Sequence, residues 1–142
     1  MPSLVFGLRI APEPEMFLSD AKREVYYNNY IHALLNAVVA LEIKVSEIIR
    51  TISAKRKIEK ESVDQFIKDV GITGNIKTTL KLLTPETIKL PSDDVFEHCK
   101  GAITIRNKIM HVGRIDVPNT INDFINNIEV MIKFCDQLIE HK

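Results

Sequence analysis

No apolar run in this sequence approaches the roughly 18 residues of a membrane-spanning helix, so a helical bilayer anchor is not expected. The first residues, "SLVFGLRIAPEPE", carry an apolar patch but no basic lead-in and no small-residue cleavage site, so no signal peptide is expected either. Cytoplasm is the expected compartment. An excess of one charge is also lacking: 19 Lys and Arg face 19 Asp and Glu. The molecule as a whole therefore has no field that would draw it to nucleic acid or to a membrane surface. Cysteine is scarce. Cys99 and Cys135 form no C-x-x-C pair, and each falls on a helical apolar stripe, which predicts buried free thiols. His32, His98 and His141 have no spacing that suggests a metal with either cysteine, so no metal or other cofactor is expected. "GITGN" has two glycines but no Lys-Ser/Thr after them, and is no phosphate loop.

What is present is ordinary globular material: 142 residues, 45% hydrophobic and 27% charged, enough for one domain with its own core. The charge is unevenly spread. From His98 to Arg114, Lys100, Arg106, Lys108 and Arg114 face no acid. From Ile115 onward, Asp116, Asp123, Glu129, Asp136 and Glu140 outnumber Lys133 and Lys142. The basic segment can hold a phosphate locally, without amounting to a broad nucleic-acid face.

Apolar periodicity predicts an all-α fold, an up-and-down bundle with two long helices joined by shorter ones. The longest helix is read from about Asp20 to Lys55, with a heptad-like seam of Ile31, Leu34, Val38, Leu41, Val45, Ile48 and Ile52. Leu35 and Ile49 widen the seam, and Glu42 sits at its margin, either solvated or aimed at an inward-facing cation. "SAKRKIEKES" reads as a solvated helix end. Short helices follow at about Lys60 to Val70, stopped by Gly71, and about Asn75 to Leu83, stopped by Pro85. The next helix, about Asp94 to Met110, has Ser92 or Asp93 as its cap and Gly113 as its stop. Pro118 and Asn119 open the last helix, which packs through Ile121, Phe124, Ile125, Ile128, Met131, Ile132, Cys135, Leu138 and Ile139. Val130 and Phe134 lie off that stripe as a small exposed pair. Residues 1–19 read as an extended arm, because "APEPE" resists regular structure, and residues 20–142 read as the bundle.

"RNKIMHVG", residues 106–113, is the segment that carries chemistry. Positions 99, 103, 106 and 110 share one helical face, so Arg106 projects inward with Cys99, Ile103 and Met110. A guanidinium left unpaired there would cost several kcal/mol. It needs a carboxylate, a cleft, or a boundary where phosphate can enter. Asn107 and His111 are four apart on the neighbouring stripe, so the amide is placed to orient the imidazole. His111 also lies at the helix C-terminus, where the dipole favours a protonated ring. These groups suit RNA backbone cleavage without metal. The histidine would move a proton to or from the 2′-hydroxyl or the leaving oxygen. The arginine would grip the phosphate and offset charge developing at phosphorus. Lys108 and Arg114 are the nearby substrate-binding candidates. One imidazole does not easily perform both proton transfers, so a symmetric homodimer is expected.

A helical domain of this length, with Arg106, Asn107 and His111 closing its penultimate long helix, resembles the HEPN superfamily. The "ALEIKVSEII" stretch is similar to that family's acidic first-helix element, which would place Glu42 near the motif. The resemblance spans roughly residues 20–141 as architecture, and only the motif residues are specific. It implies a metal-independent endoribonuclease, often a toxin or defence effector, that dimerises to build a composite site with Arg106, Asn107 and His111 as catalytic residues and Glu42 as support. It also allows a non-catalytic interaction or nucleotide-binding module. In relatives paired with a nucleotidyltransferase antitoxin, a tyrosine stands two residues after the histidine. Here that position is Gly113, which argues against such an antitoxin partner.

Overall fold

The computed structural model describes residues 13–113 and 120–140. Within them the chain is an all-α bundle: α1 (Pro14–Tyr26), α2 (Tyr30–Lys55), α3 (Lys60–Gly74), a π-helical turn (Asn75–Thr79), α4 (Leu80–Leu83), α5 (Asp93–Val112) and α6 (Ile121–Glu140). None of the described helices is long and apolar enough to cross a membrane.

Two expectations for the N-terminal third need correction. Pro14 does not prolong an extended arm; it opens α1, occupying the first turn where its missing N–H costs no hydrogen bond. Residues 14–19 therefore belong to the bundle, and residues 1–12 lie outside the described residues. The single helix expected from Asp20 to Lys55 is two helices. Asn28 adopts a left-handed conformation (φ 63°), one that asparagine tolerates better than most residues. The Asn28 and Asn29 N–H groups then donate back to the Val25 and Glu24 carbonyls at 2.9 and 2.8 Å. The turn is reinforced where Asn29 Nδ2 donates to Glu24 Oε2 at 2.7 Å.

α2 is the central helix. Leu34, Val38, Leu41, Val45, Ile48 and Ile49 are buried along the expected seam, with Ile31, Leu35 and Ile52 partly buried beside it. A second stripe, Ala33, Ala37 and Ala40, is fully buried as well. These small residues let α1 and α6 approach closely on that side. Lys44 continues the same stripe and is buried. Its Nζ lies 2.6 Å from Asp136 Oδ1 on α6 and 3.5 Å from both Glu47 and Glu15, the latter on α1. Lys22 of α1 pairs with Glu129 of α6 at 2.8 Å. Glu15 thus sits toward Asp136 while Lys22 sits seven residues lower on α6, so α1 and α6 run antiparallel.

The stop expected at Gly71 is a kink, beyond which α3 runs on to Gly74. Gly71 has φ 78° and ψ 166°, a region open to glycine but not to L side chains. The π-turn after it keeps its buried polar groups paired: Thr79 Oγ1 donates to Asn75 Oδ1 at 2.9 Å, and Asn75 Nδ2 to the Ile67 carbonyl at 3.2 Å. α5 begins after Ser92, whose carbonyl accepts from the Val95 N–H at 3.0 Å. It buries Val95, Phe96, Cys99, Ala102, Ile103 and Ile109 as it packs against α6 and α2, and Cys99 Sγ donates to the Asn127 carbonyl at 3.8 Å. α6 buries nearly all of its expected stripe. Phe134, read as exposed, is instead 4% exposed, whereas Val130 stays at the surface at 46%. α6 packs against α1, α2 and α5, so it is covered over a wider arc than one neighbour would require. The start of α6 expected at Pro118 and Asn119 lies outside the described residues.

Candidate functional site at the end of α5

The inward face of α5 changes character along its length. Cys99 and Ile103 are sealed, Arg106 is half-buried, and Met110, expected to follow them inward, is 73% exposed. Burial on α5 ends at Ile109, so its last turn leaves the core and presents Asn107, Lys108, Met110, His111 and Val112 to solvent. Gly113 then stops the helix in a left-handed conformation (φ 90°), its N–H donating to the Ile109 carbonyl at 2.7 Å.

Arg106 stands at the exit. Its side chain is 20% exposed. The Nη1 group donates to Glu42 Oε1 on α2, and Nε donates to Asn107 Oδ1 at 3.0 Å. A carboxylate aimed at the inward-facing cation was one of the two readings of Glu42, and it is the arrangement found. With one edge of the guanidinium held by the core and the other by the next side chain, the group has lost most of its freedom to swing. That fixity is what a preorganised anion ligand needs. Glu42 is itself 38% exposed, so water screens the pair and its charge is accessible from outside.

The expected contact between Asn107 and His111 is not among the hydrogen bonds of the described residues. The Asn107 oxygen is turned to Arg106 instead. His111 is exposed and has no hydrogen-bond partner among the described residues, while Lys108 is exposed on the same helix end. Arg114, the other substrate-binding candidate, lies outside the described residues. The site therefore brings together Glu42 of α2 with Arg106 and Asn107 of α5, and Lys108 and His111 follow within one and a half turns of Arg106 along α5.

The remaining chemistry-bearing groups are structural. Both cysteines are free and buried. Burial pushes each thiol up to about 12, which leaves them protonated and unreactive near neutrality. Among the described residues no three His, Cys, Asp or Glu side chains are placed to hold a metal ion. Sequence reasoning missed the Lys44 cluster. Burial alone would lower the pKa of that ammonium, but the hydrogen bond and charge of Asp136, with Glu47 and Glu15, outweigh it and hold Lys44 above the usual lysine range. The available signal was its position in step with Ala33, Ala37 and Ala40, a stripe too weakly hydrophobic to stand out beside the Leu/Ile/Val seam.

Comparison of the chain with protein-family models, with curated proteins and with solved structures finds no match.

Proposed function

We propose that the end of α5 is a phosphodiester-binding site at which RNA is cleaved without metal, in the manner of HEPN ribonucleases. The observation that carries this reading is the half-buried Arg106, clamped by Glu42 and Asn107 where α5 leaves the core. A guanidinium serving only the fold could be sealed with its carboxylate; this side chain stays 20% exposed, on the helix end that also carries Lys108 and His111. In the proposed reaction Arg106 and Lys108 hold the phosphate, and Arg106 offsets the charge that grows on its oxygens. His111 moves the proton. Glu42 and Asn107 position the arginine. Because His111 stands alone on an exposed helix end, a second copy of the chain supplies the other proton-transfer group in a homodimer acting in the cytoplasm. The substrate is RNA because only RNA carries the internal 2′-hydroxyl nucleophile.

The test is cleavage of RNA in EDTA by the purified chain, leaving cyclic phosphate ends, with loss of cleavage in a folded His111→Ala variant. Cleavage that survives this substitution removes the mechanism. A second reading has its own support. Glu42 already neutralises Arg106, and Met110 and Val112, 73% and 70% exposed, give the same helix end an apolar surface. These features suit a non-catalytic module that docks a partner protein. In that case RNA stays intact in EDTA, and Met110→Ser weakens partner binding instead.

A further inference from the structure

A cavity of about 430 Å³ opens where the end of α2 meets α3 and α4. It begins at Ile49, seven residues or about 10 Å of helix axis beyond Glu42, so it is separate from the α5 site. Its volume falls within the ~300–1,000 Å³ of small-molecule sites, and it is sunk into the bundle: the lining residues Ser53, Val63 and Thr79 are all buried. The walls are apolar, formed by Ile49, Val63, Phe66, Leu82 and Leu83, and Arg56 stands at the rim. Leu82 is 78% exposed and Phe66 45%. These are large apolar surfaces for a rim to leave in water, and they cluster around one opening.

The charges identify the polar end of an occupant. Arg56 is exposed and makes no ion pair among the described residues, whereas Arg23, Arg50 and Arg106 each have a carboxylate. In the adjoining sequence Lys55, Lys57 and Lys60 outnumber Glu59 and Glu61. The acids Glu59, Glu61 and Asp69 gather beside Ser62 and Phe66 on the α3 side of the opening, with Arg56 on the α2 side. Thr79 lines the wall but has committed its hydroxyl to Asn75, and beside it only the Ser53 and Ser62 hydroxyls interrupt an otherwise apolar interior. We propose that this cavity binds an amphipathic monocarboxylate of medium chain length, its alkyl chain between Val63, Phe66 and Leu83 and its carboxylate on Arg56. At about 30 Å³ for each water-sized unit the space takes roughly 14 non-hydrogen atoms, the size of a ten- to twelve-carbon fatty acid.

The experiment is an amide NMR titration of the full chain with sodium decanoate below its micelle concentration, with decyltrimethylammonium as the cationic counterpart. Decanoate produces saturable shifts at Ile49, Val63 and Leu83 and binds at least about tenfold more tightly than the cation, as one charge-assisted contact requires. Arg56→Gln weakens decanoate by about the same factor. Val63→Trp fills the space and removes binding, with the amide spectrum reporting that the fold persists. Leu82→Ser, at an exposed rim position, weakens binding without challenging the core. Equal affinity for anion and cation overturns the proposal. So do shifts confined to residues outside the cavity, or no saturable shift at all.

Discussion

The Arg106 guanidinium on α5 donates to the Glu42 carboxylate on α2, two residues 64 positions apart in sequence. The pair ties the last turns of α5 to the central helix and also holds a cation at the surface in a fixed attitude. It has a cost for any anion-binding role, because Glu42 competes with phosphate for the same charge.

That competition gives a prediction with two signs. Glu42→Gln keeps the shape and one hydrogen bond but removes the competing charge. Stability falls by about 1 kcal/mol, the upper end for exposed pairs, read by urea denaturation. RNA binding tightens, and the slope of log affinity against log salt steepens by about 0.7, one additional phosphate contact on a single strand. Arg106→Lys keeps the charge without the planar fork and lowers cleavage about 100-fold. Unchanged salt dependence in Glu42→Gln, together with unchanged cleavage in Arg106→Lys, would show that phosphate does not meet Arg106.

The Lys44 cluster predicts an asymmetry between its two ends. Lys44 is 6% exposed whereas Asp136 is 41% exposed. Removing the acid by Asp136→Asn leaves a buried ammonium with only the half-exposed Glu15 and Glu47 at 3.5 Å, and costs about 2–3 kcal/mol. Removing the base by Lys44→Met leaves carboxylates that water can solvate, and places a chain of similar length in an apolar slot. That variant lies within about 1 kcal/mol of the parent. Denaturant midpoints in the reverse order would mean that the cation holds the three helices together.

Backbone conformation predicts opposite effects at two turn positions. Gly71 needs a conformation that L side chains avoid, and a Cβ there meets nothing within 4 Å. Gly71→Ala therefore costs about 1–3 kcal/mol by strain alone. Lys57 carries φ 58° after α2, where the Ile58 N–H donates to the Ser53 carbonyl at 3.0 Å in a glycine-type helix cap. Lys57→Gly relieves that strain and raises stability by about 1 kcal/mol. Thermal melts of the two variants, shifted in opposite directions, check both.

How far the fold could be read in advance depended on contrast in the pattern. The α6 stripe and the α2 seam stand out because large aliphatics recur against polar neighbours. The break between α1 and α2 does not, since Asn28 takes a role usually signalled by glycine. Pro14 read as an obstacle because its preference for a first helical turn shows only once a helix is known to follow. Phe134 reads as exposed because it lies outside the main stripe, whereas α6 packs against α1, α2 and α5; Lys44 escapes notice because the alanine stripe it continues is only weakly hydrophobic. At the site, the Glu42–Arg106 pairing could be anticipated from helical phase. The partner of Asn107 could not, because an exposed amide can turn to an adjacent residue as readily as to one four positions away.

The buried thiols predict the alkaline limb of the stability curve. Burial raises Cys99 and Cys135 from an ordinary 9.0 to about 12 in the folded chain. Between those values the folded state keeps protons that the unfolded state has released, so stability is complete below about pH 9 and declines as pH rises toward 12. Each thiol removes about 1.4 kcal/mol per pH unit in that window. Lys44, also held above its usual range, acts in the same direction at the upper end. Cys99→Ala with Cys135→Ala costs about 1 kcal/mol per site at pH 7 through lost packing, yet flattens the decline above pH 9. The parent, more stable at pH 7, therefore falls below the double variant between about pH 9 and 10 when both are unfolded in urea from pH 7 to 11, and the curves cross. Parallel curves would mean that the thiols are open to water in the folded chain, and both would then react with iodoacetamide at pH 8 without denaturant.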